Sequence, residues 1–292
     1  MKQVYRKKLF TDKSLYLIGR CDEIIQDYQS QGFVLTLRQL YYQLVSKDII
    51  PNVERSYKNL STLVTDARLA GMLDWDAIED RGRQPKTPNE YANLSDLVEA
   101  ALYSYRLPRW SGQDRYVELW VEKDALAGVL APIARQWHVT LAVNKGYSSA
   151  SAMRAAALRF IEHQDEQECF LLYLGDHDPS GEDMVRDIRD RLETFEAIVH
   201  VRKIGLTIEQ VRQYNPPPNP AKLTDPRAKG YIEKYGDKSW EVDALPPTVL
   251  KTLIETNVRG LVDQRRLNKV VEQEESDKRR LRTAVASLQE DE

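Results

Sequence analysis

The chain has 292 residues, 42% of them hydrophobic and 30% charged, with 13 Gly and 13 Pro. This composition excludes the disordered and fibrous classes and allows two ordinary domains or one large one. No apolar run reaches the roughly 18 residues of a membrane span. The start, Met1-Lys2-Gln3-Val4-Tyr5-Arg6, lacks the apolar core of a signal peptide, so a cytoplasmic location is expected. The net charge of −3 argues against nonspecific coating of nucleic acid, yet residues 1–70 hold 11 Lys or Arg against 7 Asp or Glu, leaving an acidic remainder.

Residues 12–29 place Leu15, Ile18, Ile25 and Tyr28 at helical spacing and predict a first helix ended by Gly32. Thr36-Leu37-Arg38-Gln39 fits a capping box, in which the Thr and Gln side chains satisfy free backbone N–H groups at a helix start. Leu37, Leu40, Tyr41 and Leu44 then form a buried stripe. A further helix over 55–70 turns Tyr57, Leu60, Val64 and Ala67 inward, with Gly71 as its cap. With 72–78 as a strand or wing, residues 1–108 read as a winged-helix-like DNA-binding domain. Residues 84–114, with Pro85, Pro88, Pro108 and Gly112 around one helix, lead into a second domain over 109–292.

From Tyr116 the pattern alternates. Strands are expected at 116–121, 139–143, 169–174 and 197–201, and helices at 124–137, 149–162 and 181–194. Such alternation implies βαβ units and a parallel sheet covered on both faces, with ligands at the C-terminal strand ends. Pro216, Pro217, Pro218 and Pro220 make a stiff loop, and 247–288 reads as helix, its Glu274–Arg280 charge run as a solvated face. The fold class expected is α/β plus α: a helical N-terminal unit, a Rossmann-like parallel sheet and a helical C-terminal extension.

Two strand ends supply carboxylates: Glu122 after the first, Asp176 and Asp178 after the third. Residues two apart in extended chain point the same way, so the aspartates can converge, and Glu122 joins them if the two strands are neighbours. Three clustered carboxylates repel one another, and Mg²⁺, an oxygen-seeking cation, would relieve that repulsion. Asp178-Pro179 equally fits a helix N-cap followed by proline at the first helical position. His138, His163, His177 and His200 show no zinc spacing, and Cys21 and Cys169, far apart, read as reduced structural residues.

Glu122-Lys123 at a strand end, followed by Gly175-Asp176-His177-Asp178-Pro179-Ser180-Gly181, resembles the Toprim domain. The likeness is closest to the version in the A subunit of topoisomerase VI and the related meiotic double-strand-break transesterase. Asn144-Lys145-Gly146-Tyr147-Ser148-Ser149 is similar to that family's Gly-Lys-Gly-Tyr-Pro loop, without its proline. Thr36-Leu37-Arg38-Gln39-Leu40-Tyr41-Tyr42 is similar to its Thr-Lys-Arg-Asp-Ile-Tyr-Tyr helix, which bears the nucleophile. The likeness covers residues 35–250. It implies that Glu122, Asp176 and Asp178 bind Mg²⁺, and that Tyr42 attacks a phosphate of double-stranded DNA to leave a 5′-phosphotyrosyl double-strand break. It also implies a homodimer, in which the tyrosine of one subunit works beside the metal site of the other.

Helical geometry agrees: Tyr41 lies in the apolar stripe, Tyr42 about 100° away, and Arg38 is four residues before Tyr42, on its face. Lys123, Lys145 and Arg154 are candidate contacts to the DNA backbone. No P-loop or Gly-rich nucleotide fingerprint is present, so strand passage would require a separate ATPase subunit. Two other readings stand beside this one: a hydrolytic Toprim nuclease of a defence or mobile-element system, which has no need of Tyr42, and a non-catalytic DNA-binding subunit.

Overall fold

The computed structural model describes residues 1–78, 88–144, 146 and 148–289, the last three without their side chains. Three helices, α1 (Asp12–Ser30), α2 (Leu37–Ser46) and α3 (Glu54–Leu69), pack on one another at the N-terminal end, and α4 (Leu94–Ser104) follows. The capping box at Thr36 forms: its hydroxyl accepts from the Gln39 N–H while the Gln39 amide oxygen accepts from the Thr36 N–H. This fixes where α2 starts and hence which way Arg38 and Tyr42 face.

The four strands β1 (Arg115–Val121), β2 (Thr140–Val143), β3 (Glu168–Leu174) and β4 (His200–Gly205) alternate with α5 (Asp124–Trp137), α6 (Ala150–Gln164) and α7 (Pro179–Thr194). All strand pairs are parallel, in the order β2-β1-β3-β4. The chain leaves β1 toward one edge and returns past it to β3, so the order reverses between β1 and β3, and a crevice opens beyond their C-terminal ends. Right-handed crossovers put α6 and α7, which touch each other, on one face. On the other lie α5 and α10 (Pro247–Arg259).

The central strands β1 and β3 are buried on both faces, which is why β3 reads Cys-Phe-Leu-Leu-Tyr-Leu without alternation, while the edge strands β2 and β4 are partly exposed. One exception is Glu118, fully buried on β1, whose carboxylate accepts from Tyr116 Oη, Trp120 Nε1 and the Arg159 guanidinium. Between β4 and α10 run α8 (Ile208–Tyr214), the short strands β5 (Asn219–Pro220) and β6 (Lys238–Ser239), which pair antiparallel, and α9 (Ala228–Tyr235) between them. The chain then continues through a 3-10 turn at Val242–Ala244 to α10 and on to α11 (Gln264–Gln289). Hydrophobic contact is continuous from Ile18 to Leu267, joining the N-terminal helices to the sheet. No helix among the described residues is long and apolar enough to cross a membrane.

Several expectations change. Leu15 is 42% exposed; the buried face of α1 begins a turn later, at Ile18, and continues through Cys21, Ile24, Ile25 and Tyr28. Residues 72–78 form no strand: Asp74 caps a 3-10 turn, Trp75–Ala77, by accepting from the Asp76 N–H. The strand expected at 197–201 starts at His200, because the Ala197 N–H is spent on Leu192 at the end of α7. The helix expected over 247–288 breaks after Gly260, where Asp263 accepts from the N–H groups of Arg265 and Arg266 and starts α11. Cys21 and Cys169 are both free and buried.

The charge run on α11 is a solvated face only in part: Glu275, Arg279 and Arg280 are exposed, whereas Glu274 and Lys278 turn inward. Glu274 is fully buried and accepts from the Leu107 N–H, from Arg109 and from Lys278, itself 8% exposed. Although burial works against its charge, these donors hold the Glu274 carboxyl below the usual carboxylate range. Removing one partner of a buried ion pair strands the others. Glu274→Ala is therefore expected to lower unfolding stability by about 3 kcal/mol in urea titration. Glu274→Gln, which still accepts, should cost less than half as much.

Candidate functional site

Glu122 and Asp176 come together because β1 and β3 are neighbours in register, Val121 beside Leu174, so both strands end at the same level. The Glu122 N–H donates to Leu174 O at 2.9 Å, extending the ladder by one residue. Glu122 Oε2 accepts from the Asp176 N–H at 2.9 Å and from Tyr173 Oη at 3.3 Å. Asp178 is the N-cap of α7, its Oδ1 accepting from Gly181 N at 2.6 Å and Ser180 Oγ at 3.0 Å, with Pro179 at the first helical position. Gly181 is required here, since a Cβ would collide with the Asp176 carbonyl. Lys203 of β4 closes the loop from below, donating to Asp176 O at 2.8 Å and to Glu182 Oε1 at 2.7 Å.

A second acidic pair arrives from the far end of the chain. His177 and Trp240 exchange backbone hydrogen bonds of 2.8 and 2.9 Å, and the Val242 N–H donates to Asp176 Oδ1 at 2.8 Å. Residues 240–243 are thus laid against the carboxylate loop, and Glu241 and Asp243 enter the site. Lys123 joins the groups: its Nζ lies 3.0 Å from Asp176 Oδ2, 2.8 Å from Glu241 Oε2 and 3.1 Å from Asp243 Oδ1. Burial opposes the ammonium charge, but Asp243, Asp176 and Glu241 hold it well above the usual lysine range.

From the other side α2 contributes Arg38 and Tyr42. Arg38 pairs with Glu241 and, through Nε at 2.9 Å, with Asp243. Tyr42 Oη donates to Glu241 Oε2 at 2.7 Å. Tyr42 is only 4% exposed, so α2 is buried on nearly all sides rather than along one stripe; the Tyr41 and Tyr42 rings meet edge to face with centroids 5.3 Å apart and both line the same cleft, but their hydroxyls differ in partner, Tyr41 Oη bonding Asn52 and Val53. Burial, with Asp243 and Glu241 nearby, raises the Tyr42 phenol above its ordinary value. Burial likewise pushes Asp176 up to about 7, with Lys123 offsetting part of the effect and Glu122 and Asp243 adding to it.

These groups border a cleft of about 360 Å³ whose lining includes Arg38, Tyr42, Asp176, Asp178 and Glu241, with Lys222 at its rim. Of the residues singled out from sequence, Arg38, Tyr42, Asp176 and Asp178 therefore meet in one cleft, with Glu122 and Lys123 directly behind it. Arg154 is exposed on α6 and is not among the residues lining this cleft; Lys145 lies outside the described residues.

Among the described residues no group of three or more His, Cys, Asp or Glu side chains is arranged to hold a metal ion. Glu122 is turned to the Asp176 backbone and one Asp178 oxygen caps α7. The donor chemistry still fits a hard divalent cation. Three carboxylates, those of Asp176, Glu241 and Asp243, pair with Lys123 or Arg38, and Asp178 lines the same cleft; Mg²⁺ needs only one or two carboxylates beside its waters.

Glu241, Asp243 and Lys203 were not singled out from sequence. Glu241-Val242-Asp243 repeats the Asp-x-Asp spacing and offered a signal; Lys203, inside an ordinary strand, offered none. No protein-family model matches the chain, and no curated protein matches it.

Glu182 anchors the loop and allows a sharp test. Against the cost of burial, His177 and Lys203 hold its carboxyl down at about 2, from an ordinary 4.5. A depressed acid contributes stability above its unfolded value and loses it as pH falls through the folded one. Glu182→Gln should therefore be less stable than the wild type at pH 7, the gap closing between about pH 4.5 and about pH 2 in urea midpoints. Asp178 separates two roles: Asp178→Ala should cost about 1 kcal/mol from the lost cap, and Asp178→Ser should restore it.

Proposed function

We propose that this chain cleaves double-stranded DNA by tyrosine transesterification, in the manner of the topoisomerase VI A subunit. In this reading its sheet is a Toprim domain and its N-terminal helices a DNA-binding unit. The observation that carries the reading is that Tyr42 and Arg38 of α2 line the same cleft as Asp176 and Asp178 at the C-terminal end of a parallel sheet. A strand-end carboxylate pair suits a metal, and a tyrosine beside it suits covalent attack on phosphorus.

Mg²⁺ held by Asp176 and Asp178, with Glu122 fixing the Asp176 backbone, would neutralise charge developing on the phosphate. The chain's own residues supply the rest. Arg38 lines the cleft and Lys123 lies directly behind it, and both would turn from their carboxylates to a phosphodiester. Tyr42 forms the bond to phosphorus, and its immobilisation against Glu241 holds the hydroxyl in place for attack.

Within one chain the tyrosine and the carboxylates border the same cleft. The reading accordingly has each chain act with its own tyrosine, and a homodimer is needed only to cut both strands. A separate ATPase subunit would be needed for strand passage.

Incubation with supercoiled DNA and Mg²⁺, followed by denaturation, is expected to give DNA ends linked to protein. Tyr42→Phe should abolish the linkage and Asp176→Ala should abolish all cleavage. Free ends formed equally well by Tyr42→Phe would replace this reading with a hydrolytic nuclease; binding without cleavage would leave a DNA-binding subunit. Mixing Tyr42→Phe with Asp176→Ala chains should restore nothing. Recovery on mixing would show that the tyrosine is supplied by a second chain.

A further inference from the structure

We propose that Glu241 is the group that takes the proton from Tyr42 when the tyrosine attacks, an inference that rests on Tyr42 being the nucleophile. The phenol donates to Glu241 Oε2 at 2.7 Å, within the range of short hydrogen bonds from a hydroxyl to a carboxylate. A general base must touch the proton it removes, and Glu241 does so without rearrangement. It reaches that position through backbone pairing of the neighbouring Trp240 with His177, so the base and the Asp176 loop are set by the same short stretch of chain.

Glu241 Oε2 also receives Lys123 Nζ at 2.8 Å and the Arg38 guanidinium. Two cations on one carboxylate oxygen make it a poor proton acceptor, and in the free protein the phenol stays protonated. A phosphodiester entering the cleft competes for both cations. As Arg38 and Lys123 turn to the phosphate, Glu241 loses the charges that stabilise its ionised form and its affinity for the Tyr42 proton rises. Activation of the nucleophile is thereby coupled to the presence of the group it attacks.

The step balances. The Tyr42 Oη–H bond breaks and its proton passes to Glu241 Oε2, while Oη forms a bond to phosphorus. The P–O3′ bond breaks with its electron pair on the departing 3′ oxygen, which lies in line across phosphorus from Oη and takes a proton from solvent, while Glu241 returns its proton to solvent. The reverse sequence reseals the strand with the same groups.

The test compares the full-length wild type, Tyr42→Phe, Glu241→Gln and Glu241→Asp on a DNA duplex with Mg²⁺. It follows the rate of covalent adduct formation in a single turnover together with duplex affinity. General-base catalysis is worth about 100-fold or more. Glu241→Gln, which can accept a hydrogen bond but not a proton, is expected to form adduct at least about 100-fold more slowly with affinity within about threefold of wild type. Glu241→Asp, a base set back by one methylene, should recover a measurable part of the rate.

Adduct formation by Glu241→Gln within about threefold of the wild-type rate would overturn the assignment while leaving Tyr42 as nucleophile. So would equal rates in the Gln and Asp variants, which would assign Glu241 a merely structural role. Absence of any adduct from the wild type would overturn both readings together.

Discussion

Lys123 leaves the end of β1 with its ammonium among Asp176, Glu241 and Asp243, two of which come from a segment almost 120 residues downstream. Carboxylates as buried as Asp176 and Asp243 are costly to ionise in the interior unless a cation and hydrogen bonds attend them. The ammonium meets that requirement for the 240–243 segment, which the Trp240–His177 backbone pairing and the Val242 N–H bond to Asp176 lay against the loop. Arg38 completes the arrangement from α2, so the N-terminal helices, the sheet and the segment before α10 share one charge cluster. The hydrophobic contacts across these parts set how much surface is buried; the cluster determines how the parts are registered against one another.

The same cluster makes the site chemically uneven in a useful way. On the strand-end side, burial works against the charge of Asp176, a cost that the proposed cation would relieve. On the helix side, cations sit against a phenol, which favours a phosphate. In the proposed reading, a phosphodiester bridging the two sides would meet cations at one point and the metal-side carboxylates at the next.

The central units of the fold were legible because their signals are local. The Thr36 capping box fixes a helix start, the apolar runs of β1 and β3 mark buried strands, and two strand ends expose Glu122 and Asp176 whichever way the sheet is ordered. That β1 and β3 are neighbours was the one non-local assumption, and the strand order bears it out. What escaped depended on distant partners or on a cap taken for something else. Asp263 is a helix start hidden in a charged stretch, and Glu274 looks solvent-facing until residues 105–109 fold over it. Glu241 becomes part of a site only because Trp240 pairs with His177. Asp178 shows the limit in another form: its capping bond and its place in the cleft are both real, and the spacing alone does not rank them.

The support beneath the 176–182 loop has its own implication. Lys203 grips the Asp176 carbonyl, Asp178 caps α7, and Gly181 allows the backbone to close on itself, all by contacts internal to the protein. The loop is thus preorganised, and a cation arriving there would incur little of the entropy penalty of ordering chain around itself. Its affinity would be governed instead by exchange with the neighbouring ammonium. Metal occupancy and phosphate occupancy would then be linked, since each becomes easier once the other has drawn Lys123 aside.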